Sequence, residues 1–120
     1  MGYTLVNRAD PSVEVFRGVF FKMRRALGTT AFGLNEVRMP AGFEGPEHDE
    51  AETGHEETYI VLEGAGTFTV DDGEPVAVGP GDYLRVDAEA KRNVVAGSDG
   101  LGYIVIAGKP QAGYDGRPSL

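Results

Sequence analysis

The chain contains no cysteine. That excludes a disulfide framework, a thiol nucleophile and a thiolate metal site. It is also short of positive charge: 11 Lys and Arg stand against 19 Asp and Glu, a net charge of −8. Nucleic acid is therefore a poor partner, because binding a phosphate backbone needs a basic surface. No apolar run approaches the length of a membrane span, and the N-terminus lacks the basic-then-apolar pattern of a secretory signal, so no membrane role and a cytoplasmic location are expected. Ser12, Ser98 and Ser119 fall in turns or tails with no histidine close by in sequence, which leaves nucleophilic catalysis little footing. No glycine-rich loop leads into a helix to cradle a phosphate.

Gly and Pro are plentiful, at 18 and 7 in 120 residues. That content, with no long amphipathic helical pattern, suits many short strands joined by tight turns. The length suits one domain over residues 1–120. Short strands are expected at Tyr3–Val6, Val13–Phe16 and Val19–Phe21, then a strand end or one helical turn at Lys22–Leu27, stopped by Gly28. Thr30–Met39 reads as a longer strand. It places Ala31, Gly33, Asn35, Val37 and Met39 on one face and Phe32, Leu34, Glu36 and Arg38 on the other. Further strands are expected at Thr58–Glu63, Gly66–Val70, Glu74–Val78, Tyr83–Val86, Asn93–Ala96 and Leu101–Ala107. The Asp71-Asp72-Gly73 turn marks a hairpin, and Gly97–Gly100 marks another reversal. The result is an all-β, antiparallel sandwich or barrel. Residues 108–120 read as a surface tail or an arm to a partner.

One stretch, Gly42 to Gly64, carries the chemistry. It holds both histidines, His48 and His55, and seven carboxylates between Glu44 and Glu57, and it runs directly into a strand. His and Glu clustered on a rigid element suit a metal or acid–base site. Glu57 shares its strand face with Tyr59 and Val61, so it is expected to point inward, where a carboxylate needs a partner. His48 and Glu50, two apart, share a face if their segment is extended. With Glu57 they make a His-plus-two-carboxylate set suited to Mn, Fe or Zn. His55, beside a glycine, is expected in a solvated loop, though it could serve as a further ligand. Asn35, among small and apolar residues, must find a hydrogen-bond partner in the protein or in a ligand.

These residues resemble the cupin family. Its first motif runs from a glycine through five residues to His-x-His, then to a glutamate and, six residues later, a glycine. Here Gly42 is followed after five residues by His48, and Glu57 by six residues and Gly64. The run Glu56-Glu57-Thr58-Tyr59-Ile60-Val61-Leu62-Glu63-Gly64 matches the motif's ending. The second motif begins at Gly81-Asp82. The departures are Glu50 for the second histidine, a spacer two residues longer before Glu57, and Asp87, Glu89 and Arg92 where Pro, Gly and His are usual. The resemblance implies a double-stranded β-helix, an antiparallel jelly-roll barrel with its core at about residues 30–107 and the N-terminal strands within 1–29. It also implies a homodimer and a small-molecule ligand in the barrel mouth. Two readings follow for the site. In one, Arg92 replaces a metal ligand, pairs with Glu57 or Glu50, and helps Asn35 and Tyr59 bind a small polar or carboxylated molecule. In the other, His48, Glu50 and Glu57 hold one divalent transition metal in a dioxygenase- or isomerase-like enzyme acting on a small oxygenated substrate. The fold hosts both kinds of function, so whether the protein is an enzyme stays open at this point.

Overall fold

Two long antiparallel strands form the spine of the molecule, with their β-branched and aromatic residues gathered in the runs Thr58–Val61, Thr67–Val70, Val94-Val95 and Tyr103–Ile106. In the computed structural model, which describes residues 2–110 and 114–116, they are β4 (Glu56–Val70) and β7 (Arg92–Gly108). The pairing runs from Glu56 opposite Gly108 to Val70 opposite Arg92, with register shifts between Val61 and Glu63 and between Gly64 and Gly66. The sequence reading placed a break at Gly64-Gly66 and a turn at Gly97–Gly100. Instead each strand runs through as one bent ribbon. The glycines absorb the bend as bulges, which twist a strand without reversing it. Gly64 has φ +76°, and a Cβ there would lie 2.1 Å from the Gly100 carbonyl oxygen, so no other residue lets the strands cross so closely.

The remaining elements hang from this spine. Before it come β1 (Val15–Phe16), β2 (Phe20–Phe21), the single-turn helix α1 (Met23–Leu27) and β3 (Gly33–Met39); β5 (Val76–Val78) and β6 (Tyr83–Val86) lie between β4 and β7. The hydrogen-bonded order is β1-β2-β3-β7-β4-β5, all antiparallel, and β6 also pairs with β4. Because β6 takes Glu57–Ile60 and β5 takes Gly66–Phe68, the two halves of β4 serve different neighbours. This is a jelly roll whose pairing path stays open rather than closing into a complete barrel. The expected strand at Tyr3–Val6 does not form. That segment pairs with no strand of the sheet, and Tyr3 and Leu5 stand in solvent. Gly28, left-handed at φ 76°, caps α1 as the sequence signals implied. The arm expected over 108–120 falls largely outside the described residues. No helix among those described is long and apolar enough to cross a membrane.

The core lies between the inner faces of the bent sheet. Val37, Met39, Tyr59, Val61, Phe68, Val86, Val94, Leu101 and Tyr103 are all buried there. Tyr59 packs edge-on against Phe68 and Tyr103, with ring centroids 4.8 and 5.5 Å away. Val37 and Met39 point inward and Phe32 outward, as alternation along β3 requires. Leu34 also faces out, and Met23 and Leu27 of α1 partly cover it.

Candidate functional site

Residues 44–50 form the acidic approach to β4, and they are pinned to the chain around β7 rather than freely solvated. The Gly45 amide donates to the Val94 carbonyl at 2.8 Å, and the Glu50 amide to the Ala88 carbonyl at 2.8 Å. Between them His48 and Arg92 exchange both backbone bonds, at 3.0 and 2.8 Å. Residues opposed in this way project their side chains to the same face. The segment is thus extended where it matters, and His48, Glu50 and Arg92 converge on Glu57.

His48 Nε2 lies 3.4 Å from Glu50 Oε2 and 3.7 Å from Glu57 Oε1. Its other ring nitrogen, Nδ1, faces the Pro46 carbonyl at 3.3 Å. The Tyr59 hydroxyl donates to Glu57 Oε1 at 2.7 Å. Arg92 Nη2 lies 3.8 Å from that same oxygen and donates to the Asp87 carbonyl at 3.1 Å. Thr53 Oγ1 meets Glu50 Oε1 at 3.1 Å. The site has a wet side and a dry side: the His48 side chain is 40% exposed, that of Glu57 13%, and that of Arg92 0%. Nε and Nη1 of Arg92 are buried with no hydrogen-bond partner among the described residues. A guanidinium has five N–H donors and cannot shed its charge, so this is a large unmet demand in the interior.

The charges tune one another. The Glu57 carboxylate raises the His48 imidazole above its ordinary range, against desolvation and the nearby Arg92. Burial pushes the Glu57 carboxyl up, but bonds from His48 and Tyr59 and the charge of Arg92 outweigh it and hold it below the usual range. Burial and the same carboxylate raise Tyr59, so its hydroxyl stays a donor. Tyr103 is shifted the same way, by burial first and then by Glu57.

One ligating atom from each of His48, Glu50 and Glu57 lies within 4.8 Å of the other two. Donors about 2.1 Å from one small divalent cation lie roughly 3–3.5 Å apart; the His48–Glu50 separation of 3.4 Å falls in that range and the His48–Glu57 separation of 3.7 Å lies just beyond it. Arg92, which stands where the family's usual histidine would be a fourth donor, cannot ligate. Lys91 turns outward to Asp72 at 3.1 Å, which settles the register in favour of Arg92 facing in.

Asn35 lies on the inner face of β3 but outside this cluster. It pairs with Val105, which pairs in turn with Tyr59, so it stands two strands from the tyrosine. Two strand spacings are about 10 Å, too far for direct contact with Glu57's partners. His55 is likewise apart, in a separate cleft beside Gly33 and Ala107. The sequence reading did not include Thr53 or Tyr103. Alternation along Leu101–Ala107 was enough to place Tyr103 inward, whereas nothing in the sequence tied Thr53 to Glu50.

The description "Cupin domain" belongs to the family whose model matches residues 35–109. Among solved structures, a cupin protein from Bacteroides fragilis is 26% identical with a TM-score of 0.78, covering 99% of this chain and 93% of its own. An RmlC-like cupin from Desulfovibrio desulfuricans is 24% identical with a TM-score of 0.59, covering 66% and 73%. KdgF from Halomonas sp. is 22% identical with a TM-score of 0.56, covering 66% and 70%. The last two likenesses speak to fold alone. No curated protein matches the chain.

Proposed function

This chain belongs to the cupin family, and from that premise we propose that it binds a small polar or carboxylated molecule at the open side of the His48–Glu57–Arg92 cluster. The observation that carries the reading is Arg92: wholly buried, 3.8 Å from Glu57, and with two nitrogens unpartnered among the described residues. A fixed cation already sits where a bound cation would otherwise balance Glu50 and Glu57. With His48 protonated the four charges cancel. The cluster then offers acceptors at Glu50 and Glu57 to ligand hydroxyls and a donor at His48 to ligand oxygens, while the enclosed Arg92 favours a ligand carboxylate through its charge from the dry side. Tyr59 holds Glu57 in place. The exposed edge of His48 is the way in. Asn35 would meet only the far end of a ligand long enough to cross the strand between. The cysteine-free composition suits the cytoplasm.

The test follows the His48 imidazole proton by NMR while small hydroxy acids and dicarboxylates are added at fixed pH. A saturable shift in the parent that is lost in Arg92→Met supports the proposal. A His48 resonance indifferent to every acid, yet broadened by one equivalent of Mn²⁺, supports the second reading. That reading is a divalent-metal enzyme of dioxygenase or isomerase type, and the mutual closeness of the three donors favours it. His48, Glu50 and Glu57 would hold the metal, which when bound would polarise a ligand oxygen as a Lewis acid.

A further inference from the structure

From a second cluster of groups, at the end of the sheet where β3 begins and β7 ends, we infer that the protein has a separate binding site for an oxyanion group, the carboxylate or phosphate of a small molecule. A cleft of about 440 Å³ lies there, lined by Arg24, Thr29, Thr30, His55 and Lys109. That volume is within the range of small-molecule sites. Arg24 Nη1 donates to the Thr29 carbonyl at 3.2 Å, which ties the guanidinium to the cleft wall.

The distribution of partners across the whole chain singles this cleft out. Six of the described lysines and arginines lie in ion pairs with carboxylates, which an excess of acidic residues makes easy. Arg17 and Lys22 lie over the rings of Phe43 and Phe16, at 5.2 and 5.6 Å. Arg24 and Lys109 have neither kind of partner among the described residues, and both line the same cleft, together with an imidazole and two threonine hydroxyls. In a chain of net charge −8, two unneutralised cations meeting in a concavity make a local positive potential that attracts an anion. A guanidinium fork, an ammonium and hydroxyl donors are the set that recognises a carboxylate or phosphate. Among the described residues, no carboxylate side chain lines the cleft to repel one.

The chain's two histidines supply the assay, one in each site. Their imidazole proton resonances are assigned with His48→Gln and followed at constant pH while inorganic phosphate or, separately, citrate is added to the full chain. Sodium chloride at matched ionic strength serves as the screening control. A saturable shift of His55 with at least one of the two probes is expected, and the probe that saturates lower identifies the oxyanion class. Arg24→Gln and Lys109→Gln should each raise the half-saturating concentration by about fivefold or more, whereas Arg25→Gln should leave it unchanged. Arg24 and Lys109 are exposed, so the thermal midpoint should stay at the parent value. A His55 shift that never saturates, that sodium chloride reproduces, or that both cleft variants retain in full would overturn the inference. His48 reports the other site independently, so failure of one does not decide the other.

Discussion

Glu57→Gln removes a charge from the site with little change in volume, and it keeps an acceptor for the Tyr59 hydroxyl. What it takes away is the one carboxylate, among the described residues, within ion-pair distance of a guanidinium that is 0% exposed. Breaking a buried pair from one side costs roughly 3–5 kcal/mol, because the remaining charge is left uncompensated. The pair here is 3.8 Å apart and Glu57 is 13% exposed, which places the cost at the low end, about 3 kcal/mol. For 120 residues the unfolding entropy near the midpoint is about 0.25 kcal/mol/K, so the melting temperature should fall by roughly 12 °C. Scanning calorimetry at about pH 6 measures this directly. The double variant Arg92→Met/Glu57→Gln should recover much of the loss, since an apolar side chain of similar length ends the desolvation problem. A single-variant shift under about 3 °C, or a double variant less stable than Glu57→Gln alone, would refute the coupling on which the site's description depends.

The other expectations are simpler. His48 is raised above 6.5, so its contribution is complete below that pH and fades as pH climbs through the folded value; Glu57 is lowered below 4.5, so its contribution is complete above that pH and fades as pH falls through the folded value. The urea midpoint of the metal-free protein should therefore be supported by the pair most fully between pH 4.5 and 6.5, and His48→Gln should flatten the decline above that window. Gly64→Ala places a Cβ 2.1 Å from the Gly100 oxygen at positive φ, and should cost about 3 kcal/mol or more in chemical denaturation. Phe32, Leu62 and Tyr83 stand exposed on the chain's surface, and we propose that a second copy covers Phe32. Light scattering should then report twice the 12.8 kDa chain mass, falling to one copy in Phe32→Asp.

The strands that alternate strongly were legible from residues alone. Tyr83–Val86 and the inward set Val37 and Met39 sit where alternation places them. Glycine was the ambiguous letter. Gly64-Gly66 and Gly97–Gly100 carry turn chemistry, and in isolation a reversal is the natural reading; only the strand alongside turns each into a bulge. Tyr3–Val6 has strand composition but pairs with no strand of the sheet, a fact that lives in tertiary structure. At the site, the two-residue spacing of His48 and Glu50 and the inward face of Glu57 were readable. The convergence was not, because it depends on the backbone bridge between His48 and Arg92, forty-four residues apart in sequence. Asn35 shows the opposite limit: its face was right for the core, but its strand is one place too distant.

The central claim is that Arg92 stands in for a metal ligand and supplies the site's positive charge. The most direct measurement is titration calorimetry of Mn²⁺ and Zn²⁺ into chelator-treated parent and Arg92→His, with metal analysis of parent protein purified without chelator. The account predicts little or no metal in the parent, and at least about tenfold tighter binding once a fourth donor replaces the guanidinium. A parent that purifies with one equivalent of metal and loses it in His48→Ala would contradict the claim.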